Sequence, residues 1–119
     1  MAIRVTGSDD GIGVVAVEGR IDTATARSVE QAINGLFDAG VQRVVVDFSN
    51  VTYVASAGIR MLILAQRRAQ QFAGGIQLAA LTPNVQEIFS IAGLEQMFKF
   101  HKTVDDARAS FRPRSAPES

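Results

Sequence analysis

Cysteine is absent from the 119-residue chain. Its absence rules out a disulfide framework and any thiolate metal site. Histidine occurs once, at His101. An excess of one charge is missing too: twelve basic and twelve acidic residues cancel. Phosphate neutralisation needs a basic excess, so nucleic acid is not an expected partner. An anionic membrane surface is disfavoured for the same reason. No apolar run approaches the roughly 20 residues that span a bilayer, so no direct membrane insertion is expected. The opening Met1-Ala2-Ile3-Arg4-Val5-Thr6 has no basic leader with an apolar run behind it. No signal peptide is therefore expected, and the cytoplasm is the predicted location. No Gly-x-x-x-x-Gly-Lys loop occurs, and no cofactor is expected.

What remains is a chain rich in core-forming residues, 47% hydrophobic. Its length suits one domain, which buries about two thirds of the surface exposed when unfolded. Ile3 and Val5 alternate with polar residues as a first strand. Gly7 to Gly11, with the acid pair Asp9-Asp10, is a turn. Ile12 to Glu18 is a second strand, antiparallel to the first. Asp22 or Thr23 caps a helix carrying Ala26, Val29, Ile33 and Leu36-Phe37 at helical spacing, and Gly40 ends it. Val44 to Phe48 is the central strand. A helix follows Ser56 and runs to about Phe72-Ala73, where Gly74-Gly75 stops it. Ile76 to Leu81 is the next strand. Thr82-Pro83-Asn84 starts a helix whose inner face is Val85, Ile88, Phe89 and Ala92. Leu94, Met97, Phe98 and Phe100 suggest a short last strand or extended segment. Thr103-Val104-Asp105-Asp106 reads as a capping box for a brief helix ending near Phe111. Residues 112–119 read as a disordered tail beyond a folded domain of residues 1–111. The predicted class is α/β: a mixed sheet with an N-terminal antiparallel hairpin, later strands parallel, and helices packed against it.

The chain is organised around the stretch from Val44 to Leu62. A β-branched run gives way to a polar turn at Phe48-Ser49-Asn50, with Asp47 as its cap. Then come Ala55-Ser56-Ala57-Gly58, small residues around one hydroxyl. A hydroxyl at a helix start sits beside unpaired N–H groups and the positive end of the helix dipole. Read from the residues alone, Ser56 is a helix N-cap. On a helical wheel, Met61, Leu62, Ala65, Ala69, Phe72 and Ala73 share a core arc, flanked by Ile59 and Ile63. Arg60, Arg67, Arg68 and Gln71 lie opposite, with Leu64 among them. Leu64 is either a tolerated surface leucine or a partner contact rimmed by arginines.

The run Val-Val-Val-Asp-Phe-Ser-x-Val-x-Tyr-Val-x-Ser-Ala-Gly-Ile-Arg-x-Leu resembles the STAS domain, as found in bacterial anti-sigma factor antagonists. Gly19-Arg20-Ile21-Asp22, Thr82-Pro83-Asn84-Val85 and Ile91-Ala92-Gly93-Leu94 resemble the family's other landmarks. The likeness runs from about Ile3 to Ala109. It implies a regulator of transcription, not an enzyme. It implies that Ser56 is phosphorylated by a partner that is both anti-sigma factor and serine kinase. The unphosphorylated form binds that partner, the phosphorylated form lets go, and a serine phosphatase restores it. The implied partner-binding surface comprises Asp22, Thr23, Ala55, Ser56, Ala57, Gly58, Arg60, Leu64 and Arg67. Many members carry aspartate or serine just before the phosphorylated serine; Ala55 stands there in this chain. The same domain also serves as a signalling scaffold or a small subunit of lipid-transport complexes, without phosphorylation.

Rival chemistries are poorly supplied. A nucleophile elbow wants glycine two places before the serine, where this chain has Val54. A triad would need His101, which falls near the last strand with nothing to bring it to Ser56. Asp9-Asp10 and Asp105-Asp106 lie where turns and helix starts expect acids. Tyr53 reads as packing.

Overall fold

The computed structural model describes residues 2–7 and 11–111. The predicted disordered tail at 112–119 and the acid pair Asp9-Asp10 lie outside the described residues. The order is β1 (Ala2–Thr6), β2 (Ile12–Ile21), α1 (Thr23–Asp38), β3 (Arg43–Val54) and α2 (Ser56–Gln71), then β4 (Gly75–Ala79), α3 (Pro83–Ile91), β5 (Phe100–His101) and α4 (Val104–Phe111). The strands lie side by side in sequence order. β1 and β2 are antiparallel, and every later pairing is parallel. This is the expected mixed sheet. Parallel neighbours need crossovers, and α1, α2 and α3 supply them.

Alternation along the strands divides the core in two. Val15, Val17, Val44, Val46, Phe48, Ile76 and Leu78 face α1, α2 and α3. Phe89 from α3 meets Phe48 and Phe100 edge-on, with ring centres 5.8 and 5.7 Å apart. Ile12, Val14, Val45 and Ala79 face the other way, under Ala107 of α4, with Val104 and Phe111 packed against them. Three helices thus cover one face, and one short helix covers part of the other.

Two elements run longer than the sequence suggests. Phe48-Ser49-Asn50 is not a turn: β3 continues to Val54, and β2 continues alongside it to Ile21. Their pairing shifts register twice. Ala16 opposes Asp47 but Glu18 opposes Asn50; Gly19 opposes Val51 but Arg20 opposes Tyr53. β3 carries an extra residue at each shift, which is how a bulge accommodates a break in alternation. Asp47 still accepts a hydrogen bond from the Ser49 N–H at 2.9 Å. Other elements are shorter. β4 stops at Ala79, because Ala80 turns to φ +62°. β5 is two residues, and Leu94 and Phe98 are buried in the turns before it. In α3, Val85 and Phe89 are buried as expected, while Ala92 is exposed. After α2 the chain reverses through Ala73 at φ +61°. Gly74 is needed there for closeness: a Cβ would lie 2.0 Å from the Gln42 carbonyl oxygen.

Candidate functional site

Because β2 and β3 are parallel neighbours, the helices that follow them begin side by side at the C-terminal ends of these two strands. The Ala55 N–H donates to the Ile21 carbonyl at 2.8 Å and ties the two strand ends together. The two helix starts then differ. Asp22 caps α1: its carboxylate accepts from the Thr25 N–H at 3.1 Å, and the Thr25 hydroxyl accepts from the Asp22 N–H at 2.8 Å. The Thr25 backbone bond first, and its hydroxyl second, hold the Asp22 carboxyl below the usual carboxylate range. Of the two candidates, Asp22 and not Thr23 is the cap; Thr23 is exposed beside it.

At α2 the cap position is Ala55, which offers no side-chain bond. Ser56 is therefore not the N-cap; it is the first helical residue. Its side chain is exposed and bonds to nothing among the described residues. A serine at a cap turns its oxygen back to the second or third amide of the helix. One place later, Ser56 is spared that bond. Ala55 and Ala57 beside it are half-buried. Gly58 is buried and presents no side chain to a partner. A Cβ there would lie 2.8 Å from Ile21 Cγ2 and 2.9 Å from Val54 Cγ1. Gly58 lets the first turn of α2 press onto the ends of β2 and β3.

Beyond Ser56, α2 carries an open groove of ≈ 560 Å³ lined by Ser56, Ile59, Arg60, Ile63, Leu64 and Arg67. Leu64 is 50% exposed. A smaller hollow of ≈ 250 Å³ adjoins it towards α1, where Thr23, Arg27, Glu30 and Ala57 meet Arg60 and Leu64. Thr23, Ser56, Ala57, Arg60, Leu64 and Arg67 thus line these two adjoining hollows, while Asp22 and Ala55 line neither and stand just before them as the cap residues of α1 and α2. Arg68 does not join Arg60 and Arg67. It bonds Asp38 at 2.9 Å and Asn34 at 2.6 Å on α1, above the Phe37 ring. Ile59 and Ile63 flank the core as expected, half-buried against it, and their outer sides line the groove. Glu30 and Arg27 were missed, because their nearness to α2 depends on helix packing and not on local spacing. Tyr53 packs at the surface: it is 40% exposed and lies under Arg20, 4.8 Å from guanidinium to ring centre.

His101 is far from this surface in topology. It pairs with Ala79 on the face covered by α4, and its Nε2 lies 3.4 Å from the Ser110 hydroxyl. No triad forms between His101 and Ser56. Among the described residues no three histidine, aspartate or glutamate side chains group as metal ligands. No helix among them is long and apolar enough to cross a membrane.

A family model described as "Mlab, STAS domain" matches residues 5–100. The chain belongs to the STAS domain family. It is 31% identical over 103 residues to BtrV of Bordetella bronchiseptica, across 87% of this chain and 89% of that one. An anti-sigma factor antagonist from Mycobacterium paratuberculosis has a similar structure: TM-score 0.83 at 29% identity, over 94% of both chains. The Bacillus protein SpoIIAA shares the fold at lower identity. Its unphosphorylated form gives a TM-score of 0.80 at 18% identity, over 95% of this chain and 100% of that one. Its phosphorylated form gives 0.74 at 19% identity, over 93% and 100%.

Proposed function

We propose that this protein is an anti-sigma factor antagonist switched by phosphorylation of Ser56. The unmodified α2 surface docks an anti-sigma factor that is also a serine kinase, and so frees a sigma factor in the cytoplasm. The kinase transfers the γ-phosphoryl group of ATP. The Ser56 Oγ–P bond forms, the β–γ bridging O–P bond breaks, ADP leaves, and the hydroxyl proton passes to a base of the kinase. A serine phosphatase reverses the change. The reading rests on one observation: the Ser56 hydroxyl is exposed and unbonded at the head of the groove. Phosphate brings about −1.5 to −2 charges, and a dianion left unpaired in a closed contact costs several kcal/mol. Each 1.4 kcal/mol is about tenfold in affinity, so one modification releases the partner. The protein itself regulates and does not catalyse.

The test is incubation with the partner kinase and ATP, followed by intact mass. One added phosphate is expected, absent in Ser56→Ala. No addition to the wild type, with partner binding intact, sinks the switch. That outcome supports a second reading, a docking module working without phosphate as a scaffold or a lipid-transport subunit. Ala55 favours this second reading, since it places no polar side chain beside the hydroxyl.

A further inference from the structure

Arg60 stands four residues after Ser56 on α2. Residues so spaced on a helix have Cβ atoms about 5–6 Å apart, and an anion four places before a cation is the favourable order. Both side chains are exposed and both line the groove. Arg60 has no ion pair among the described residues, whereas Arg68 is committed to Asp38. We infer that Arg60 is the intramolecular ligand of a phosphate on Ser56, and that the resulting pair spans the head of the groove. The inference rests on Ser56 being the modified residue.

The chemistry suits the pairing. A guanidinium is a planar fork matched to phosphate oxygens. The charged groups nearby are few. Arg27 and Glu30 of α1 border the smaller hollow on the other side of Arg60. Asp22 lies at the head of α1 with its carboxylate bonded into its own helix start. Arg67 is eleven residues beyond Ser56, about 16 Å along the axis at 1.5 Å per residue, and out of reach of the phosphate. Glu30 shares that hollow with Arg60 but makes no ion pair with it, and it offers a single negative charge where the phosphate carries nearly two. Modification therefore does two things. It adds bulk and charge at Ser56, and it withdraws Arg60 from the groove of Ile59, Ile63 and Leu64 that a partner would meet. Arg60 is a positioning residue of the switch.

The test uses the full chain with phosphoserine installed at position 56 during translation, so no kinase is needed. Phosphorus NMR titration reads the second pKa of the phosphate, ordinarily about 6. Arg60→Gln is expected to raise that pKa by about 0.3 over the wild type, because a cation favours the dianion. Arg67→Gln is expected to leave it unchanged. Equal values in wild type and Arg60→Gln overturn the assignment. An equal rise in Arg67→Gln also overturns it, since that describes a diffuse field and not a clamp. A circular-dichroism melt confirms that each variant is folded. Neither overturning result touches the kinase assay, which tests separately whether Ser56 is modified at all.

Discussion

Two neighbouring residues, Asp22 and Ala55, occupy the same structural position before parallel helices and do opposite things. Asp22 spends its carboxylate on the first turn of α1. Ala55 leaves the first turn of α2 without a side-chain partner. The amides of α2 thus stay available to an anion, and Ser56 stands where one would be attached. The contrast predicts a pH signature at Asp22. Its carboxyl is held down by Thr25, so its folded pKa lies below the unfolded value of about 3.9. A depressed acid stabilises the fold fully above the unfolded value and loses that contribution as pH falls through the folded one. Asparagine caps helices about as well as aspartate but carries no charge. Asp22→Asn should therefore melt below the wild type near neutral pH, and the gap should close below about pH 4. A gap that stays constant down to low pH would mean that the charge at Asp22 contributes nothing.

At the scale of the element, α2 has two working faces. Leu62 is fully buried against the sheet, and Leu64, two residues on, is half exposed over the groove. Leu62→Ala should cost about 2–5 kcal/mol, as buried leucine truncations do. Leu64→Arg should stay within about 0.5 kcal/mol, as surface changes do, yet weaken docking of the partner. Paired urea melts and a binding titration check both; a large stability loss in Leu64→Arg would place it in the core. This division of α2 was legible in the sequence, because helical periodicity is local. So was the position of Ser56 between strand and helix. The length of β3 was not. Asp47-Phe48-Ser49-Asn50 has the composition of a turn. The buried residues after Val46 are Phe48, Val51 and Val54, and the spacing of three defeats an alternation test. Only the equally long β2 beside it, with its two register shifts, makes that stretch a strand. Gln66 was illegible for a similar reason. It is 7% exposed, with its amide oxygen 2.7 Å from the Ile76 N–H and its nitrogen donating to the Ile76 and Met97 carbonyls. Those partners come from segments that no helical wheel of α2 can see.

For the whole molecule, the question is how far a phosphate on Ser56 reaches. The site lies beyond the C-terminal end of the central strand β3, on the first turn of a helix. Its anchors, Ile21, Val54 and Gly58, are buried contacts that the hydroxyl does not touch. The small core under α4 lies on the opposite face, where Ile12, Val14, Val45 and Ala79 meet Ala107. Close-packed interiors give way in discrete steps, and nothing at Ser56 pushes on this one. A phosphate at a helix start is favourable by about 0.3–1 kcal/mol. For a domain of this size that raises the melting temperature by less than about 8 °C. The phosphorylated chain should therefore keep its fold and gain slightly in stability. Amide chemical-shift changes should be confined to α2 from Ser56 to about Arg67 and to the facing first turns of α1. β4, β5 and α4 should be silent. Shifts spreading across the sheet into α4 would mean that modification repacks the domain, and a docking surface changed by charge alone would no longer account for release of the partner.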